Sequence, residues 1–281
     1  MENFALSLVL LGSILHLGWN IFAKKANHGF VFLWISAFPL SIVGGVLALQ
    51  NQIWSTLSPT TLLCLLLSAI IHTLYFWTLI KAYEVADLGF VYPVCRSLGA
   101  TLVVCLGIAF LDENPSRTGM MGIILCILAP VIEPTFFFKN KAKRLNWESY
   151  LLTIVTGLLI GSYLFVDKIG SQEVDAFHYL AYFIFPTHLL MTLIIFLGPL
   201  KHKIKEENLK RAFLGFLFWS SAYGAVIWAM KIAPISYVAS ARASGIVMSA
   251  VAGKLFFQES LTKVRVFSIV VIVIGVILIA L

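Results

Sequence analysis

Charge is what this sequence has least of. Asp, Glu, Lys and Arg together make up 12% of its 281 residues, against about a quarter in soluble globular domains. With 60% hydrophobic residues and a mean hydropathy of +0.96, water is excluded as the main solvent. Cysteine is equally sparse. Cys64, Cys95, Cys105 and Cys126 all fall inside apolar runs, without the spacing of a zinc site, so they read as small hydrophobes and neither metal nor cofactor is expected. Short alternating strands are missing, which argues against a barrel. The net charge of +7 sits in short loops and not in a basic stripe on a soluble fold, so no nucleic-acid partner is expected. The opening MENFALSLVLLGSIL lacks a basic n-region and a small-residue cleavage site, and reads as a first span instead of a removed signal peptide.

What is present is a series of long apolar runs. A spanning helix needs about 20 such residues, and ten runs qualify, near 4–23, 30–49, 60–81, 88–111, 117–138, 149–167, 177–198, 211–230, 235–257 and 263–281. The expected fold is an all-α membrane protein of ten transmembrane helices. Only 139–148 and 201–210 look like true polar loops. The first separates two five-helix units, residues 1–140 and 149–281, with 141–148 as a basic linker. An odd number of spans per unit forces the second copy to insert upside down relative to the first, giving an inverted repeat. Most Lys and Arg follow odd-numbered helices, including Lys24, Lys25, Lys81, Lys139, Lys201 and Lys263, against Arg117, Lys168 and Lys231 after even-numbered ones. The positive-inside rule then puts those loops in the cytoplasm and both termini outside.

The repeat is visible in the residues. Leu88–Glu113 carries Arg96, Gly99 and Glu113, and Pro234–Glu259 carries Arg242, Gly245 and Glu259, each pair offset by 146. An arginine at mid-helix costs about 2.5–3.5 kcal/mol even on the mildest insertion scale, so its recurrence in register points to use. A guanidinium fork binds carboxylate or phosphate bidentately, and an inverted pair suits an anionic or zwitterionic solute. The bland alternative is an internal ion pair or snorkelling to an interface. Pro93, one turn before Arg96, is placed to kink its helix.

On the first helix Gly12, His16, Asn20 and Lys24 share one face; His16 and Asn20 line a cavity or bond across a packed interface. His72 and Tyr75 lie three apart on the third helix, where His72 either carries a coupling proton or is a satisfied bundle histidine. Tyr163, Tyr223, Tyr237 and, least of all, Trp228 are candidates for aromatic walls, against the reading of aromatics as interface anchors. Ser236, Ser240, Ser244 and Met248 recur every four residues, as a packing seam or a cavity lining. Glu113 and Glu259 read as caps for the helices that follow them. Asp87, Asp112, Glu113 and Asp167 are read as lying near span ends.

Ala86-Asp87-Leu88, Val91-Tyr92-Pro93-x-x-Arg96 and Glu113 resemble the EamA-type branch of the drug/metabolite transporter superfamily. So do Ser236-Tyr237-Val238-Ala239, Arg242-x-Ser244 and Glu259 in the second half. His16-x-x-Trp19-Asn20 with Lys24 looks like the start of one such repeat, and Tyr163 with Asp167 like its counterpart. The resemblance covers essentially the whole chain. It implies a ten-helix secondary transporter with a central cavity in a bacterial inner membrane, usually an exporter of small metabolites such as amino acids. The substrate site would draw on His16, Asn20, His72, Tyr75, Tyr92, Arg96, Tyr163, Tyr223, Tyr237, Arg242 and Ser244. The chain departs from the family in its two arginines, in Ser97-Leu98-Gly99-Ala100 where another proline is expected, and in lacking the first-helix carboxylate of the small four-helix multidrug relatives. The expected partners are the solute, the bilayer and a coupling proton, and ten helices suffice for a functional monomer. Two other classes compete: a flippase of lipid-linked (polyprenyl-phosphate) substrates, and, with less support, an intramembrane enzyme, for which no carboxylate–histidine or serine–histidine cluster is evident.

Overall fold

In the computed structural model, residues 3–86, 88–137, 147–246, 248 and 263–281 are described. Glu259, Asp87 and the basic run Lys139, Lys141, Lys143 and Arg144 lie outside the described residues, as do Val247 and 249–257 of the expected ninth span. All regular structure among the described residues is helical. Lipid offers the backbone no hydrogen-bond partners, so each span must satisfy its own.

The helices are α1 (Asn3–Lys24), α2 (Gly29–Gln50), a single turn α3 (Ile53–Thr56), α4 (Pro59–Val85), α5 (Leu88–Phe110), α6 (Arg117–Phe137), α7 (Trp147–Gly170), α8 (Ala176–Leu197), α9 (Leu209–Ile232), α10 (Ile235–Ala241) and α11 (Lys263–Ala280). A 3-10 helix, Pro199–Glu206, fills the second polar loop. Among the described residues, six helices (α1, α2, α4, α7, α8 and α9) are long and apolar enough to cross a membrane, and shorter apolar stretches lie in α5, α6 and α11. The expected 235–257 helix does not run unbroken: α10 stops at Ala241, Arg242 and Ala243 form a turn, and helix resumes at Ser244. The break interrupts the four-residue serine spacing read as one stripe.

Polarity is inverted relative to a soluble protein. Along α4, Leu63, Leu66, Ile70 and Leu74 face outward while Ser68, His72, Thr73 and Tyr75 are buried. The outward face matches hydrocarbon and the inward face holds what lipid rejects. Helix ends follow ordinary capping rules: the Ser58 hydroxyl accepts from Thr61 N at 3.2 Å ahead of Pro59, and Asn208 Oδ1 accepts from Arg211 N at 3.0 Å.

The main packing partners are α1 with α9, α4 and α5 with α7, α2 with α8, and α6 with α11. Small residues let these helices meet. A methyl added at Gly161 would lie 2.9 Å from Gly99 O and 2.8 Å from Leu102 Cβ, and one at Gly122 would lie 2.6 Å from Gly275 O. Such close backbone approach supplies the van der Waals contact that replaces hydrophobic drive in a bilayer.

Two sequence expectations change at the helix ends. Glu113 does not cap α6, whose first turn is bonded by Ser116 Oγ, accepting from Gly119 N at 3.0 Å. Its carboxylate instead accepts from Ile235 N at 2.5 Å and Ser236 N at 3.0 Å, capping α10 in the other half. Lys168 and Lys231, counted as topogenic, bind helix ends reciprocally. Lys168 Nζ donates to Met230 O and Ala233 O, and Lys231 Nζ donates to Ser171 O and Val174 O. Carbonyls at helix C-termini attract cations, and the two lysines clasp α7 to α9.

Candidate functional site

The interior holds an unusual load of polar side chains. α1 supplies His16 and Asn20, α4 His72 and Tyr75, α5 Tyr92 and Arg96, α7 Tyr163, and α9 Tyr223; Arg242 comes from the turn after α10, and all are buried. The turn at Arg242 is what points its guanidinium at α1: Nη2 lies 3.0 Å from His16 Nε2.

His16 sits between two donors. Trp19 Nε1–H points at His16 Nδ1 from 2.7 Å, and the arginine faces Nε2. A neutral imidazole accepts at one nitrogen only, while indole and guanidinium donate only. One of the two contacts therefore opposes donor to donor. Arg242 also has the Tyr163 side chain within hydrogen-bonding reach, while its Nε and Nη1 have no hydrogen-bond partner although the residue is 3% exposed. Arg96, 7% exposed, lies with Cζ 5.2 Å from the Tyr92 ring centre, a cation–π contact. Among the described residues, no carboxylate comes within ion-pair distance of either arginine. Buried hydroxyls of Ser13, Tyr92, Ser97, Ser236, Ser240 and Ser244 are also unpartnered.

An aromatic cluster joins these groups. The His72 ring lies 4.2 Å from Tyr163, 4.6 Å from Phe183 and 5.3 Å from Tyr223. Tyr75 packs 5.2 Å from Tyr163, and Tyr223 meets His16 edge-on at 6.3 Å. His72 Nδ1 is 3.0 Å from the Ser68 carbonyl oxygen and 3.1 Å from the Ser68 hydroxyl. Asn20 bridges locally: its Nδ2 donates to His16 O at 2.7 Å and its Oδ1 accepts from Tyr83 Oη at 2.9 Å.

Some candidates stand elsewhere. Tyr237 is only partly buried and accepts at its hydroxyl from Ser116 N at 3.0 Å, at the α5–α6 loop. Trp228 is 51% exposed and packs edge-on against Phe4. Ser244 is buried beside Gly245, where an added methyl would meet Tyr92 Oη at 2.8 Å.

The residue that sequence reading undervalued is Asp167. It is fully buried, and its carboxylate accepts from Tyr179 Oη at 3.0 Å and from Tyr223 Oη, with the Ser68 hydroxyl close by. The signal was in the spacing: Asp167 follows Tyr163 by four residues as Asn20 follows His16.

These features define a polytopic helical membrane protein whose interior is polar and cationic. Residues 147–281 match the EamA-like transporter family. That match lies in the C-terminal half of the chain. No curated protein matches the chain. A solved structure titled "Crystal structure of protein" aligns with a TM-score of 0.68 at 14% sequence identity, covering 98% of this chain and 94% of that one. At that identity the likeness concerns the fold.

Proposed function

We propose that this chain is a secondary transporter that moves small anionic or zwitterionic metabolites, in the direction of export, by alternating access. It works as a monomer in a bacterial inner membrane, and its site is the interior around Arg96 and Arg242. The observation that carries this reading is Arg242: a guanidinium out of water, with Nε and Nη1 lacking a hydrogen-bond partner and, among the described residues, no carboxylate beside it. A buried unpaired charge is strongly destabilising unless a counter-charge joins it, and a solute carboxylate meets that need bidentately.

Alternating access rests on reading the ten spans as two inverted units, 1–140 and 149–281. The α6–α11 seam supports it. Under the offset of 146, the approach of Gly122 to Gly275 exchanges with the contact of Ser268 to Ala129. The Cys126–Ile272 contact maps onto itself. Contacts that exchange in this way are what a two-fold axis between repeats produces.

A lipid-linked substrate has one observation in its favour. A cavity of about 300 Å³ opens between α2, α8 and α9, lined by Leu40, Leu180, Phe216 and Trp228 among others. Its lining carries no charged group, so a phosphate head would still need the interior arginines. The test is counterflow of labelled amino acids and small organic acids in proteoliposomes. Exchange of an anionic or zwitterionic solute supports the proposal. Exchange of none of them, with the protein folded, turns the assignment to a lipid-linked substrate.

A further inference from the structure

We infer that Asp167 is the site at which this transporter takes up and releases its coupling proton, a role that rests on the transporter reading above. Sequence reasoning offered His72 for it. The structure favours the carboxylate because of what each group touches.

His72 is held at Nδ1 by the carbonyl and hydroxyl of Ser68 on its own helix and is wrapped by the rings of Tyr163, Phe183 and Tyr223. It meets Arg242's field with no carboxylate among its contacts. Adding a second proton would place a third cation among Arg96 and Arg242. Asp167 is the reverse case. It is a carboxylate in the same interior, bonded only by hydroxyls, so neither of its charge states is locked by a fixed ion partner.

The groups that face it from each packed element are few. From α4 come Cys64, Ser68 and, one turn on, His72. α8 gives Tyr179 and α9 gives Tyr223. On α7 itself, Tyr163 lies one turn back, and the adjacent Lys168 turns away to the carbonyls at the end of α9. Arg242 lies against His16 and Arg96 against Tyr92.

Protonation changes what this cluster can bond. The ionised carboxylate accepts from both tyrosine hydroxyls. Once a proton from water binds one carboxylate oxygen, that oxygen becomes a donor and needs an acceptor. A tyrosine hydroxyl that had been donating must then turn and accept. Tyr223 is the side chain through which this turn reaches the arginine site, because its ring packs on Tyr163 at 5.6 Å and on His16 at 6.3 Å. On the reverse step the proton returns to water on the opposite side and the carboxylate is restored. The equivalent position on α1 is Asn20, an amide that bonds a tyrosine in the same way but cannot titrate. Only one of the two first helices is thus built to carry a proton.

Two measurements test this on the full-length protein. The first needs no substrate: infrared difference spectra of purified wild type and Asp167→Asn, titrated from about pH 5 to about pH 9. The expected result is a carboxylic C=O band that grows on acidification in wild type and is missing from the variant. A wild-type spectrum without an Asp167-dependent band across that range overturns the inference. The second uses proteoliposomes with labelled glutamate, serine, lactate and succinate as probes. Asp167→Asn should keep counterflow within about twofold of wild type while losing accumulation driven by a pH gradient; Asp167→Glu should restore part of that accumulation. Accumulation unchanged in Asp167→Asn overturns the inference and leaves the transporter standing. Wild type inert to every probe tells against the transporter reading, and the infrared result still judges Asp167 by itself.

Discussion

α1 and α7 occupy matching places in the chain's two halves, yet they have been given different work. α1 carries His16 and Asn20; α7 carries Tyr163 and Asp167 at the same four-residue spacing. In α1 the polar pair is bonded partly within its own helix, Asn20 to the His16 carbonyl and His16 to Trp19, with Arg242 and Tyr83 meeting it from outside. In α7 the polar pair faces across the bundle, with Asp167 held by α8 and α9. The seams differ too. A methyl added at Gly12 would meet Ala222 O at 3.0 Å, whereas one at Gly161 would meet two groups of α5 at 2.8–2.9 Å. On the proposed reading of the two halves as repeats, single side chains decide which of two similar helices binds charge and which titrates.

The largest expected effect tests the site the two helices share. Arg242→Ala removes a guanidinium able to make charge-assisted bonds of about 1.5–3 kcal/mol, so solute affinity should fall by about tenfold to a hundredfold, measured by counterflow against concentration. Arg96→Ala should lose less, because Tyr92 already engages that cation. Equal losses would break the asymmetry.

Next comes packing. Gly161→Leu overfills the α5–α7 seam and should lower stability by about 1–3 kcal/mol. Gly12→Leu should lose less. Thermal unfolding in detergent ranks the two.

Asn20→Asp gives α1 the carboxylate of α7. It loses the amide donor to His16 O and sets a negative charge in the arginine interior, where it competes with the solute. Transport should fall several-fold, with the protein still folded. Unchanged transport would mean that the amide and the carboxylate are interchangeable after all.

The smallest effect lies outside the spans. Glu173 accepts from Ser58 N at 3.0 Å, Ser58 Oγ at 2.7 Å and Thr61 Oγ at 2.6 Å. The Thr61 and Ser58 hydrogen bonds hold its carboxyl below the usual carboxylate range. A depressed folded-state value means the contribution is present above the unfolded value of about 4.3 and is lost as pH falls through the folded one. Glu173→Gln should lower the melting temperature slightly at neutral pH and leave it unchanged in strong acid.

Much of this architecture was legible because lipid imposes a simple code. Runs such as 30–49 and 60–81 predicted α2 and α4, and the buried arginines marked themselves by their expense. What sequence could not give was direction in space. The Glu113 cap was assigned to the adjacent helix because sequence sees neighbours, while the structure sends it to Ile235 and Ser236 in the other half. Tyr237 and Tyr223 looked alike as aromatics, yet one stands at a loop and the other in the centre. Asp167 was discounted for sitting near a helix end, although the ends of α7 and α9 are covered by their reciprocal lysines and neighbouring helices. The single-turn α3 and the 3-10 helix carry too little periodicity to be read at all.

The most direct measurement is counterflow of labelled amino acids and small organic acids into proteoliposomes holding wild type, Arg242→Ala or Arg242→Lys. The account predicts exchange of an anionic or zwitterionic solute in wild type, an apparent affinity weakened by about tenfold to a hundredfold in Arg242→Ala, and partial recovery in Arg242→Lys, which keeps the charge without the fork. Exchange by folded Arg242→Ala at the wild-type rate and affinity would contradict it.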